Sequence, residues 1–183
     1  GTAIKSDSSF KPDNIYGETK LAGEKAVRSY QEDKIPWVIV RPTEVYGPGD
    51  RRLLKLFRGV NEGWFPIIGS GENLHHPVYI DDVVDGLMKA AKEEKAVGQT
   101  FVLPGPRPVT TKKMVAAVAR GLDTEPPRWH IPMKPVMLMA KAMDWTLRPL
   151  GISPPVHPRR MGFYRKNLSF DTDKARSIIN YEP

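Results

Sequence analysis

Apolar positions along this chain change their spacing several times, and each change marks a new element. Tyr16, Lys20, Gly23, Val27 and Tyr30 fall along one stripe at helical spacing, which predicts a helix over 16–33. Pro36 breaks that pattern, and the apolar run Trp37-Val38-Ile39-Val40 follows as a buried strand. A Gly- and Pro-rich loop runs through Asp50, then come a helix near 51–62, a short strand over 65–68 and another over 74–80. Asp81 or Asp82 stands where it would cap a helix reaching about Lys92. A strand over 99–103 and a Thr-capped helix over 110–122 come next, with further helices over 133–147 and 171–179. Helices and strands alternate, so the fold class is α/β. Pro-rich stretches at 104–108, 126–135 and 149–158 mark loops or seams, and no internal repeat interrupts the pattern.

Composition narrows the class. With 183 residues, 40% hydrophobic and 27% charged, the chain has apolar residues enough for one domain or most of one. Zero Cys excludes disulfides and thiolate metal sites. With no apolar run of membrane-spanning length and no secretory leader pattern, a cytoplasmic protein is expected, and peripheral membrane association stays open. The net charge of +7 is spread among 21 acidic residues, so no nucleic-acid partner is expected.

Tyr16 and Lys20 lie four apart at the start of the first helix, so they share a face. A phenol with a reference pKa near 10 is a poor proton carrier at neutral pH, but an adjacent ammonium favours its anionic form. Lys20 can supply that charge and still donate to a ribose or a substrate oxygen. Tyr30 and Lys34 repeat the spacing, but Ile35-Pro36 ends the helix there and the two need not share a face. The alternative for Tyr16 and Lys20 is an ordinary surface pair.

The strand ending at Val40 runs into Arg41-Pro42-Thr43-Glu44-Val45-Tyr46-Gly47-Pro48, and ligands of open α/β sheets bind at such carboxyl ends. Pro42 offers a rigid apolar surface for a flat ring, and the backbone of Thr43 and Val45 can hydrogen-bond an amide. A plain turn is the competing reading.

Taken together, Tyr16-x-x-x-Lys20, the Arg-Pro-x-x-x-Tyr-Gly-Pro segment at 41–48, and Gly69, Gly71 and Tyr-Ile-Asp-Asp-Val at 79–83 resemble the extended short-chain dehydrogenase/reductases, the NAD-dependent epimerase/dehydratase superfamily. The resemblance implies the C-terminal part of an NAD(P)-binding Rossmann fold plus a small mixed α/β substrate-binding subdomain. Residues 1–60 and about 79–103 would complete the Rossmann sheet, with about 61–78 and 104–183 on the substrate side. It makes Tyr16 the general acid/base, Lys20 its partner and ribose ligand, and Pro42, Thr43 and Val45 the nicotinamide face. The cofactor would be NAD or NADP. The family's opening Gly-x-x-Gly-x-x-Gly turn has no counterpart here, and its catalytic Ser or Thr would fall before Gly1, since Thr2, Ser6, Ser8 and Ser9 stand too close to Tyr16. The chain is therefore expected to be a C-terminal half, inactive in isolation, and self-association as a homodimer stays open.

Glu44 and His75 occupy positions where nucleotide-sugar members of the family usually have Asn and Arg, so the resemblance assigns them to substrate and disfavours a diphosphate. His75 and His76 would point to opposite faces of one strand, and His130 and His157 stand in Pro-rich loops, so no metal is expected. Residues 133–147 place Lys134, Lys141, Asp144 and Arg148 on one polar stripe, and four Met with Trp145 suit core packing, a substrate pocket or a membrane surface. Order and composition there are most similar to the 3β-hydroxysteroid and sterol dehydrogenase branch. The resemblance thus implies an oxidoreductase interconverting an alcohol and a ketone on an apolar, steroid-like substrate. A nucleotide-sugar epimerase or dehydratase is the first alternative, and a non-catalytic cofactor sensor the second.

Overall fold

The computed structural model describes residues 3–8, 12, 14–30, 35–147, 151 and 158–183. Thr2, Ser9, Lys34, Arg148 and His157, weighed above, lie outside the described residues. The chain divides into two compact units. The first takes Gly1–Gly47, His76–Pro108 and Ser169–Pro183, and the second takes Pro48–His75 and Val109–Leu168. The predicted helix near 51–62 thus belongs to the second unit, and the C-terminal segment to the first.

In the first unit, α1 (Ile15–Ser29) precedes β1 (Ile39–Pro42), which pairs in parallel with β6 (Thr100–Leu103). A second parallel pair joins β2 (Glu44–Tyr46) to β5 (Pro77–Tyr79), which leads into α3 (Ile80–Lys92). Parallel strands buried by helices favour continuous apolar runs, and all four residues of β6 are buried. The core joins Phe101 and Leu103 to Ala90, Ala96, and to Ala175, Ile179 and Tyr181 at and beyond α6 (Asp173–Ile179). Phe101 and Leu103 are fully buried, which stabilises the fold by about 1.5–3 kcal/mol each. Helix α3 begins one residue before the predicted cap: Tyr79 holds the N-cap position and makes no side-chain cap bond, while Asp81 and Asp82 sit in the first turn, where the helix dipole favours acids.

In the second unit, α2 (Leu54–Asn61) packs Leu56 and Val60 against Val115 and Ala119 of α4 (Thr111–Gly121). The Thr110 side chain caps α4 by accepting from Lys113 N at 3.2 Å, as the sequence predicts. Strands β3 (Ile67–Ile68) and β8 (His130–Ile131) pair in parallel, so His130 stands on a strand rather than in the expected loop. Two amides flank that short ladder: Ile67 N donates to Trp129 O and Gly69 N to Ile131 O. Strand β4 (Leu74–His75) is antiparallel to β7 (Val109–Thr110). Helix α5 (Met133–Leu147) buries Val136 and Ala140, and Met133 and Met137 pack on a cluster with Ile68 and Met161.

The single strand predicted over 74–80 is two strands, β4 and β5, in different units. Pro77 has no N–H for a ladder, and the backbone of His76 is claimed by side chains instead.

Candidate active site

Helix α1 starts at a fixed place because Asn14, in extended conformation, accepts a hydrogen bond from Gly17 N at 2.8 Å. Gly17 packs closely there, since a Cβ would come within 3.0 Å of Pro12 Cβ. Tyr16 therefore lies in the first turn, with its side chain 71% exposed. Lys20, also exposed, sets its Nζ 5.6 Å from the centroid of the Tyr16 ring, so the two share the helix face that their spacing implies.

One turn further, Glu24 turns toward β1. Arg41 donates from Nε to Oε1 at 2.7 Å, from a terminal nitrogen to Oε2 at 2.6 Å, and from the other to Ser6 O at 3.1 Å. Both side chains are largely shielded, at 18% and 22% exposure. The Arg41 hydrogen bonds hold the Glu24 carboxyl below the usual carboxylate range and raise the guanidinium in turn. The helix bearing Tyr16 and Lys20 is thereby tied to the strand that ends in Pro42.

Beyond β1, Pro42 is exposed. Thr43 N donates to Leu103 O at 3.3 Å and Val45 N to Thr43 O at 3.1 Å, so both amides that could have faced a carboxamide are used within the protein. Thr43 Oγ1 donates to His76 O at 2.5 Å, and Glu44 accepts from His76 N at 3.1 Å. These two side chains satisfy both backbone groups of His76 where the ladder is interrupted.

His76 itself is 2% exposed. Phe170 N donates to its Nδ1 at 3.1 Å, which leaves the proton on Nε2, 2.9 Å from the Gly105 carbonyl that accepts it. Burial pushes the imidazole below its ordinary value, opposed by the Gly105 hydrogen bond and the Glu44 charge. His75, in the second unit, is also 2% exposed. Its Nε2 lies 3.2 Å from Asn73 Nδ2 and 3.1 Å from Thr111 Oγ1, and its ring stacks 4.3 Å from that of Phe163. Asn73 donates to Phe163 O and accepts from Thr111, completing a closed polar network.

Of the residues expected to meet a nicotinamide nucleotide, Lys20 and Pro42 are exposed. Thr43 and Val45 would contribute surface rather than free N–H groups. A cavity of about 250 Å³ in the first unit, lined by Lys5, Asp7, Val102, Asp171, Asp173 and Lys174, includes none of the residues chosen from the sequence. Sequence reasoning passed over Asn14, Glu24 and Arg41. The signals were present: Asn two residues before Tyr16 is a cap residue, and Glu24 continues the 16–20 stripe by one turn.

The profile of the NAD dependent epimerase/dehydratase family matches residues 2–103. The chain is 27% identical over 186 residues to mouse (Mus musculus) sterol-4-alpha-carboxylate 3-dehydrogenase, decarboxylating, covering 95% of this chain and 51% of that protein. It is 32% identical over 136 residues to the UDP-glucose 4-epimerase of Vibrio cholerae, covering 73% of this chain and 41% of that enzyme. The chain spans about half the length of the curated relatives it matches. Among solved structures, the UDP-glucuronic acid 4-epimerase of Bacillus cereus in complex with NAD superposes with a TM-score of 0.71 at 22% identity, over all of this chain and 51% of that one. The α/β arrangement is thus of the Rossmann type. With more than half of its residues matched by the profile, the chain belongs to the NAD dependent epimerase/dehydratase family.

Proposed function

We propose that this chain is the proton-transfer and substrate-binding part of an NAD(P)-dependent oxidoreductase that interconverts an alcohol and a ketone on an apolar, steroid-like substrate. The observation that carries it is the Tyr16–Lys20 pair, exposed together on one helix face that Glu24 and Arg41 tie to the end of β1. Bound nicotinamide cofactor supplies hydride exchange at the carbinol carbon. Tyr16 takes the hydroxyl proton in oxidation and returns it to the carbonyl oxygen in reduction. Lys20 stands beside Tyr16 on the same helix face and carries donors for the ribose. Pro42 gives the flat ring an apolar surface without an N–H to satisfy.

The likeness to the mouse sterol dehydrogenase runs over 95% of the chain, α5 included, and supports an apolar substrate. The higher identity to a UDP-glucose 4-epimerase, over a shorter span, favours a nucleotide sugar as the second reading. Glu44 is engaged by His76 N in the first unit, and His75 by Asn73 and Thr111 in the second.

Tyr16→Phe in the full-length protein tests the proposal. Turnover of a 3β-hydroxysteroid should fall about a hundredfold or more, with cofactor affinity by fluorescence titration nearly unchanged. Turnover within about threefold of the parent would remove Tyr16 from the chemistry, and saturable epimerisation of UDP-glucose would install the second reading.

A further inference from the structure

Helix α5 has two apolar faces, and the hydrophobic core occupies only one of them. Val136 and Ala140 are buried, with Met133 and Met137 packed beside them. On the opposite side Leu138 is 72% exposed and Trp145 81% exposed, with Met139 at 48%. Leu138 and Trp145 are seven apart, two full turns, and so share one face. Lys134 and Lys141 stand three or four residues from one or both of them on that same face, and both are exposed. The helix's acid, Asp144, stands three residues from Lys141 along the same polar stripe but is half-buried. The outer face therefore joins an aromatic and an aliphatic anchor to two cations, with no carboxylate among its exposed positions.

We infer that this face of α5 docks on a membrane surface bearing anionic lipid headgroups. The charge is complementary: each lysine near such a surface gains from the negative potential, while Trp is the residue best suited to the boundary between headgroup and acyl chain. Fifteen residues of helix are about 22 Å long, short of the roughly 30 Å hydrocarbon core, so α5 would lie in the plane of the interface. Among the described residues no helix is long and apolar enough to cross a membrane. The inference stands independently of the reaction proposed above.

Vesicle co-sedimentation of the full-length protein tests it, using phosphatidylcholine alone and phosphatidylcholine with about one-third phosphatidylserine. Binding should require the anionic lipid and weaken with salt. The L138A/W145A variant should bind at least about tenfold more weakly. K134E/K141E should bind anionic vesicles no better than neutral ones. Circular dichroism matching the parent confirms that the variants, all at exposed positions, are folded. Equal binding to neutral vesicles, no binding by the parent, or unchanged binding by L138A/W145A would each overturn the inference. So would light scattering that shows a dimer dissociated by L138A/W145A, because a second copy would then cover this face.

Discussion

Glu24 accepts two short hydrogen bonds from Arg41, at 2.7 and 2.6 Å, and in doing so links the helix of Tyr16 and Lys20 to the strand of Pro42. The guanidinium fork matches the carboxylate, and both groups are mostly withdrawn from water. Removing one partner leaves the other charge shielded and uncompensated. Glu24→Gln should therefore lower unfolding free energy by about 2 kcal/mol in guanidine titration. Arg41→Met combined with Glu24→Gln should lose less than the sum of the single variants. Additive losses would mean that the pair does not couple helix to strand.

Lys20 has a separate role to test. Lys20→Met in the full-length protein should weaken cofactor binding and also lower turnover if, as proposed, one ammonium serves both ribose and phenol. A variant with tenfold weaker cofactor binding and unchanged turnover at saturation would divide those roles.

His76 makes stability depend on pH in a stated direction. Its folded imidazole titrates below its ordinary value because it is buried, so the unfolded chain takes up the proton first as pH falls. The contribution is complete above the unfolded pKa near 6.5 and is lost below it, at up to about 1.4 kcal/mol per pH unit, until the folded pKa is passed. Urea titrations at pH 7 and pH 5 should show the loss, and His76→Gln should flatten it. Equal slopes in parent and variant would assign the loss to other groups.

Gly105 accepts from His76 and also approaches the chain at Pro77 so closely that a Cβ would meet Pro77 O at 2.1 Å. Backbone must move to admit even one methyl. Gly105→Ala should destabilise the protein by at least about 2 kcal/mol, read as a lowered midpoint with unchanged denaturant slope.

The helices were legible in the sequence because their signals are local. The predicted 133–147 helix matches α5 at both ends, and Thr110 caps α4 as read. Three short strands, at Glu44–Tyr46, Val109–Thr110 and His130–Ile131, were not anticipated. Each has only two or three residues, too few for a period, and each exists because a distant partner supplies the ladder. The same limit explains the site. Tyr16 and Lys20 are neighbours by helical spacing, whereas Glu24 and Arg41 meet only after a helix folds back on a strand. Likewise nothing local says that Thr43 and Glu44 will spend their polar atoms on His76.

The two units are interleaved along the chain, and that ordering constrains how the molecule can be synthesised. The first unit is assembled from three separate segments, the last of them Ser169–Pro183. Tyr181, fully buried, donates to Pro104 O at 2.8 Å and lies against Gly86. Phe101 and Leu103 thus leave the ribosome some eighty residues ahead of the residue that covers them. Segments 48–75 and 109–168 can begin to associate while the first unit is still waiting for its closing strap. A stop codon shortly before Asp171 would strand an unfinished, sticky hydrophobic surface, which is the kind of nascent chain that chaperones retain and proteases remove.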